Sequence, residues 1–125
     1  MAGNSRYPSQ KLTTADTSLR ETAKRLQFNT ERLDRLCRER GISQVELFGS
    51  ALRDDFGASS DVDLLASLRP DAHPTLLDWA DIQEKLSEIF GRRVDLVSRR
   101  AIERSRNPYR RDSILSTTVP IYVEG

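Results

Sequence analysis

The chain has 125 residues and a mass of 14.2 kDa, which allows one folded domain and leaves no room for two. Hydrophobic residues make up 37% of it and charged residues 31%, a balance typical of soluble globular proteins. No apolar run approaches the ~18 residues of a membrane span, and the first ten residues lack the apolar core of a secretory signal. The single Cys37 and single His73 exclude a disulfide scaffold and a multi-histidine metal centre. We therefore expect a cytoplasmic protein that does not contact membranes.

Charge is segregated along the chain, although the net charge is only +1. Residues 1–40 carry nine basic and five acidic side chains, residues 41–90 carry three and ten, and residues 91–125 carry eight and four. An acidic centre between basic arms suits a site that binds cations and meets a polyanion, although solvated helix faces give the same pattern. Arginine outnumbers lysine 17 to 3, which favours planar, bidentate contacts with phosphate or carboxylate.

A polar N-terminal arm, residues 1–18, precedes a series of helices and strands. Apolar residues at helical spacing predict the helices, and short alternating runs predict the strands. In chain order these are a helix over 19–40, a strand over 44–48, a short helix over 51–56, a strand over 61–67, a helix starting at Thr75, a strand over 93–97, a helical stretch interrupted by Pro108, and a strand over 119–123. Strands separated by helices predict an α/β or α+β fold. We expect a small mixed sheet flanked by helices, in one domain over residues 19–125.

Local signals predict two of the helix ends. Gly41 predicts the end of the first helix, with Cys37 as a small core residue on it. Thr75 followed by Asp78 has the spacing of a capping box, which predicts the start of the next long helix. Trp79 then falls on the buried stripe of that helix.

Two aspartates in the strand predicted over residues 61–67 indicate the chemistry. Side chains alternate along a strand, so Asp61 and Asp63 face the same side, about 7 Å apart. Neighbouring carboxylates repel each other unless a cation lies between them, and magnesium is the natural candidate because it binds carboxylate and phosphate oxygens. Asp95 lies in the middle of the strand predicted over residues 93–97. If the two strands are neighbours, three carboxylates converge and can hold two metal ions, as phosphoryl or nucleotidyl transfer requires.

The Gly49-Ser50 turn is the candidate phosphate site. A glycine between a strand and a helix lets the backbone approach a ligand closely, and the exposed N–H groups of the helix start bind phosphate. The Ser50 hydroxyl can donate a further hydrogen bond, and Arg53, one helical turn on, could reach the same phosphates. Gly-Ser and Asp-x-Asp are each common, so it is their combination with Asp95 that is informative.

This combination resembles the minimal nucleotidyltransferases of the DNA polymerase β superfamily. Their signature is Gly-Ser, ten residues, Asp-x-Asp and a third Asp on a later strand, which Gly49-Ser50, residues 51–60, Asp61-Val62-Asp63 and Asp95 match. The runs LFGS, GRRVDLV and RRDSIL…VPIY extend the resemblance over about residues 33–123. It implies a polymerase β-type core.

The resemblance also implies a reaction, in which ATP is the substrate, pyrophosphate leaves and two magnesium ions assist. The implied metal-binding and catalytic residues are Asp61, Asp63 and Asp95, and the implied nucleotide-binding residues are Gly49, Ser50 and Arg53. Asp95 would complete the metal site and help deprotonate the incoming hydroxyl.

The acceptor is expected to be a protein, because larger members of the superfamily add domains that hold a primer or a drug. Proteins resembling this chain are typically antitoxins that silence a helical ribonuclease toxin of the HEPN family by transferring AMP to a toxin tyrosine. A contact-only antitoxin of the same fold and a small-molecule adenylyltransferase remain open. The arginines of residues 91–111 also suggest a nucleic-acid-binding module. Only one aromatic residue, Tyr109, lies among them, so direct nucleic-acid binding is not expected.

Overall fold

The computed structural model describes residues 28–49 and 60–124. In chain order its elements are α1 (Thr30–Arg40), β1 (Ile42–Phe48), β2 (Val62–Leu68), α2 (Leu76–Phe90), β3 (Val94–Ser98), α3 (Arg99–Glu103), α4 (Pro108–Leu115) and β4 (Val119–Val123). The predicted N-terminal arm, the predicted helical residues 19–27 and the predicted short helix over 51–56 lie outside the described residues. No helix among the described residues has the length and apolar character needed to cross a membrane.

The strands of the described region form one mixed sheet in the order β3-β2-β1-β4. Strand β1 pairs antiparallel with both β2 and β4, whereas β2 and β3 run parallel. Parallel neighbours need a long crossover connection, and α2 is the helix in that connection. The predicted small mixed sheet flanked by helices is therefore confirmed.

The larger hydrophobic cluster joins the sheet to α1 and α2. Its strand residues include Val62 and Leu64 of β2 and Val94 and Leu96 of β3, all at most 5% exposed. They pack with buried residues of the two helices, among them Leu33, Leu36, Cys37, Ile82, Leu86 and Phe90. The core position predicted for Cys37 is confirmed by its complete burial. Because side chains alternate along a strand, the positions between these strand residues face the opposite side of the sheet.

A second, smaller cluster lies on that opposite side. Phe48 of β1 and Leu65 of β2 are buried there against Ile102 of α3. The half-buried residues Val97, Ile114 and Leu115 complete the cluster. Helices α3 and α4 are thus seated on the face of the sheet that α1 and α2 leave uncovered.

The helix predicted over residues 19–40 is not continuous in the described residues. The apolar spacing predicts a helix from Leu19, but Phe28 and Asn29 are not helical and α1 begins at Thr30. The reason is a cap: Asn29 adopts an extended backbone, and its side chain accepts a hydrogen bond from Arg32 N at 3.0 Å. The predicted end at Gly41 is confirmed, because this residue has φ 72° and donates its N–H to the Cys37 carbonyl.

The later helix boundaries follow their local signals. The capping box of α2 is present in full, since Thr75 Oγ1 accepts from Asp78 N at 3.1 Å and Asp78 Oδ2 accepts from Thr75 N at 2.9 Å. Pro108 does not interrupt a helix but begins α4, with Asn107 as its cap. The helical stretch predicted here is therefore two short helices.

Candidate active site

Asp63 and Asp95 occupy equivalent positions on neighbouring strands. They are direct partners in the parallel register of β2 and β3, so their backbones lie about 4.8 Å apart. The residues that flank them, Val62 and Leu64 on one strand, are buried in the larger cluster. Both carboxylates therefore face the side of the sheet that carries α3 and α4, where Asp63 is half-buried and Asp95 exposed.

Asp61 lies one residue before β2 begins and is exposed. The backbone around it is tied to the turn that leads into β3. Val62 N donates to the Arg93 carbonyl at 2.9 Å, and Arg92 Nη1 donates to the Ser60 carbonyl at 3.2 Å. Within residues 28–49 and 60–124, no three His, Cys, Asp or Glu side chains form a group that could hold a metal ion. The structure thus brings Asp63 and Asp95 together but does not gather Asp61 with them.

Gly49 packs directly against Asp63. It follows Phe48, the register partner of Asp63, and has φ 71°, a conformation that favours glycine. A Cβ built on Gly49 would overlap Asp63 Oδ2 and lie 3.2 Å from Asp63 Cγ. A glycine is therefore required here both by the backbone and by the candidate metal ligand. The other two predicted nucleotide-binding residues, Ser50 and Arg53, lie outside the described residues.

Side chains of α2 hold the outer edge of β3. Gln83 Oε1 accepts from Leu96 N at 2.8 Å, Ser87 Oγ accepts from Val94 N at 3.0 Å, and Trp79 Nε1 donates to the Leu96 carbonyl at 3.2 Å. These helix residues are spaced by four, so they lie in a row on one face of α2. Four residues of a helix rise about 6 Å, and two residues of a strand rise nearly 7 Å. The spacing of the side chains along α2 therefore matches the spacing of the backbone groups along the edge of β3.

This edge contact matters for the site because Asp95 lies between the two amides that α2 holds. The contact between α2 and the edge of β3 was not predicted from the sequence, which indicated only a core position for Trp79. Trp79 does pack against the larger cluster, as predicted, but its indole also serves the edge. The polar residues Gln83 and Ser87, four and eight positions after it on a helix next to a strand, were the available signal.

A buried carboxylate on the same face was also missed. Glu46, in the middle of β1, is only 5% exposed. Its Oε1 accepts from Arg99 Nη1 and its Oε2 from Thr118 Oγ1, both at 2.7 Å. A buried charge is tolerated only when it is paired, and these two contacts pair the Glu46 carboxylate. They also link the start of α3 and the residue before β4 to the sheet.

Comparison with known proteins assigns the family. Residues 30–121 match the family model described as a nucleotidyltransferase domain. The chain belongs to this family. The protein adenylyltransferase MntA of Thermococcus cleftensis is 36% identical over 67 residues, which cover 53% of this chain and 66% of that protein. A protein of Methanocaldococcus jannaschii assigned as a protein adenylyltransferase is 30% identical over 73 residues, or 58% of this chain and 70% of that protein.

Solved structures share the fold. One assigned as a minimal nucleotidyltransferase has 32% identity and a TM-score of 0.57, and the match covers 82% of this chain and 95% of the other. A toxin–antitoxin structure with AMP-PNP also has a TM-score of 0.57, at 18% identity, covering 76% of this chain and 73% of that one. The predicted nucleotidyltransferase fold and family are confirmed.

Proposed function

We propose that this chain is a cytoplasmic antitoxin that transfers AMP from ATP to a tyrosine of a helical ribonuclease toxin of the HEPN family. The observation that carries the proposal is the in-register pair Asp63–Asp95, with Gly49 packed against Asp63. Membership of the nucleotidyltransferase family supports the class of reaction, and relatives named as protein adenylyltransferases support a protein acceptor.

The proposed metal ligands are Asp61, Asp63 and Asp95. Carboxylate oxygens are the hard donors that magnesium prefers, and two of these side chains already lie side by side on one face of the sheet. Bound magnesium would neutralise the charge that develops on the phosphates as pyrophosphate leaves. The donor chemistry of Asp63 and Asp95 therefore fits magnesium, and the second ion proposed for this site would also need Asp61.

The remaining roles follow from position. Gly49 is proposed to bind the terminal phosphates together with Ser50 and Arg53. Asp95, the exposed member of the pair, is proposed to take the proton of the acceptor hydroxyl. The tyrosine oxygen then forms a bond to the α-phosphorus of ATP, the bond from that phosphorus to the bridging oxygen breaks, and pyrophosphate carries away the bonding electrons.

The decisive experiment uses Asp63→Asn, which preserves side-chain volume but removes a carboxylate charge. We expect the variant to fold and to bind the toxin, yet to add no AMP to it when ATP and magnesium are supplied, as read from the intact mass of the toxin. Asp71→Asn, an exposed aspartate after the far end of β2, is the matched control and should transfer normally.

Co-expression with the toxin completes the test. Asp63→Asn should fail to rescue growth, whereas Asp71→Asn should rescue it. If Asp63→Asn protects cells as well as the unmodified chain while transferring nothing, the protein is a contact-only antitoxin and the enzymatic proposal is wrong.

A further inference from the structure

Helices α3 and α4 and the turn between them present a concentrated basic surface. Its members are the exposed side chains of Arg100, Arg104, Arg106 and Arg110, which we call the arginine surface. Over residues 99–111 there are six arginines, no lysine and one acidic residue, Glu103. That glutamate is already bound by Arg99, through a contact of 3.2 Å. Within residues 99–111, the charge of this surface is therefore not balanced by acidic side chains.

The four arginines have no ion-pair partner within the part of the chain that the structure describes. By contrast, neighbouring Arg99 pairs with Glu46 and Glu103, and Arg111 pairs with Asp112. Arg100 and Arg104 lie four residues apart around the end of α3, a spacing at which like charges oppose each other. Arg110 lies in the first turn of α4, where the helix dipole disfavours a cation. The dipole of α3 favours a cation at its end, where Arg100 and Arg104 lie, but it does not account for Arg106 and Arg110. Binding of an external anion would account for all four.

The position of the arginine surface relates it to the candidate active site. Helix α3 is seated through Ile102 on Leu65, which follows Asp63 by two residues on the same face of β2. The next row of side chains along this face is the pair Asp63–Asp95, about 7 Å away. The salt bridge from Arg99 to buried Glu46 fixes the start of α3 to the sheet. Helix α3, which carries Arg100 and ends at Arg104, is thus fixed to the sheet one row of side chains from the carboxylates.

We propose that the arginine surface is the docking surface for the protein acceptor, and that the acceptor contacts it with an acidic patch. Guanidinium groups form bidentate hydrogen bonds with carboxylates, which provides charge complementarity. Tyr109, 86% exposed, directly precedes Arg110 on α4. Arginine and tyrosine without lysine is the composition of protein interfaces, whereas a surface for single-stranded nucleic acid uses several aromatic side chains for stacking. The inference rests on the proposed function and adds how that site receives its acceptor.

The test reverses two of the charges in the double variant Arg104→Glu/Arg110→Glu. The probe is a purified helical ribonuclease of the HEPN family, the acceptor under the proposed function, and binding is measured by calorimetry without nucleotide. We expect the affinity of the double variant for this protein to fall about tenfold or more, and the affinity of the unmodified chain to fall with added salt. The KM for the acceptor should rise while kcat at saturating acceptor and the affinity for ATP stay unchanged.

Arg35→Glu is the matched control, because Arg35 is exposed on α1, which packs on the other face of the sheet. It should bind the ribonuclease normally. If the double variant fails to give the circular dichroism spectrum of a folded chain, Arg100→Ala/Arg106→Ala applies the same test without adding negative charge. Since binding is measured without nucleotide, docking is detected even if no AMP is transferred and the proposed function fails.

Three results would overturn the proposal. One is a double variant that binds the ribonuclease as tightly as the unmodified chain does. Another is a double variant that loses affinity for ATP instead of affinity for the ribonuclease, which would assign the arginines to nucleotide binding. The third is loss of binding to fluorescein-labelled oligo(U) with no loss of ribonuclease binding, which would assign the surface to RNA.

Discussion

Leu96 donates its backbone N–H to the side chain of Gln83, 2.8 Å away, so a helix residue takes the place of a neighbouring strand. The Leu96 carbonyl accepts from the indole of Trp79, and Ser87 binds the amide of Val94 in the same way. An edge strand with free amides and carbonyls is open to pairing with other chains, and here α2 covers it. The same contacts hold the strand that carries Asp95.

Replacing Gln83 with alanine should loosen this edge. The Leu96 amide would lose its acceptor, and we expect the free energy of unfolding to fall by about 1–2 kcal/mol. Hydrogen exchange at the Leu96 amide should accelerate. Gln83→Glu, which keeps an acceptor oxygen, should restore much of the protection, and Glu84→Ala, exposed one position on, should change neither quantity. Unchanged exchange at Leu96 in Gln83→Ala would show that this contact does not hold the strand.

Gly49→Ala tests whether the glycine protects Asp63. The substitution places a Cβ in the left-handed region, which costs roughly 1–2 kcal/mol, and also forces Asp63 to move. Gly91→Ala is a close control, because Gly91 has φ 67° but a Cβ added there would meet no neighbouring atom within 4 Å. We expect similar losses of stability from the backbone in the two variants, and a far greater loss of AMP transfer in Gly49→Ala. Equal transfer rates would separate Gly49 from the function of Asp63.

Nucleotide binding should depend on a divalent metal. The carboxylates Asp63 and Asp95 repel the negative phosphates of ATP, so a cation is needed between them. Calorimetry should show ATP binding that strengthens with magnesium or manganese and disappears with a chelator. Asp95→Asn should weaken this metal dependence, whereas Asp71→Asn should preserve it. The same affinity with and without metal would contradict the role assigned to these carboxylates.

The contact between Arg40 and Asp81 predicts a pH dependence of stability. The hydrogen bond from Arg40, at the end of α1, lowers the pKa of Asp81 on α2 below its usual value, and Lys85 adds to the effect. A carboxyl group with a lowered folded-state pKa stabilises the fold above its unfolded pKa, and this contribution is lost as the pH falls through the folded value. Asp81→Asn should therefore unfold at lower urea than the unmodified chain at pH 7.

That difference should shrink as the pH falls below the ordinary pKa of an aspartate, about 3.9, because the Asp81 of the unmodified chain then becomes protonated as well. Urea midpoints measured at several pH values check the prediction. Glu88→Gln, which removes an exposed carboxylate from the same helix, controls for the loss of one negative charge at pH 7. If the urea midpoints of Asp81→Asn and the unmodified chain still differ at low pH, packing and not charge stabilises the contact between the two helices here.

Features set by neighbouring residues were predictable from the sequence. The bounds of β4 and the capping box of α2 agree with prediction because each depends on a few consecutive residues. From the sequence, the two strands that became β2 and β3 could only be assumed to be neighbours. The register that places Asp63 beside Asp95 comes from the structure.

The features that escaped prediction depend on contacts between distant parts of the chain. The alternating pattern of the strand predicts that Glu46 faces solvent. Its burial is explained only by the packing of α3 on this face of the sheet. Likewise, apolar periodicity placed Trp79 in the core but could not show that α2 faces a strand edge. At the start of α1 two local signals competed, and the cap at Asn29 outweighed the apolar spacing that continued before it.

The parallel pairing of β2 and β3 has a consequence for the life of the protein in the cell. Asp63 and Asp95 are separated along the chain by the whole of α2, so they meet only after this crossover has closed. Such long-range closure is a late and slow event compared with helix formation. A chain whose synthesis stops before residue 95 carries Gly49 and Asp63 but lacks Asp95. Such an incomplete chain lacks the carboxylate pair on which the proposed transfer depends.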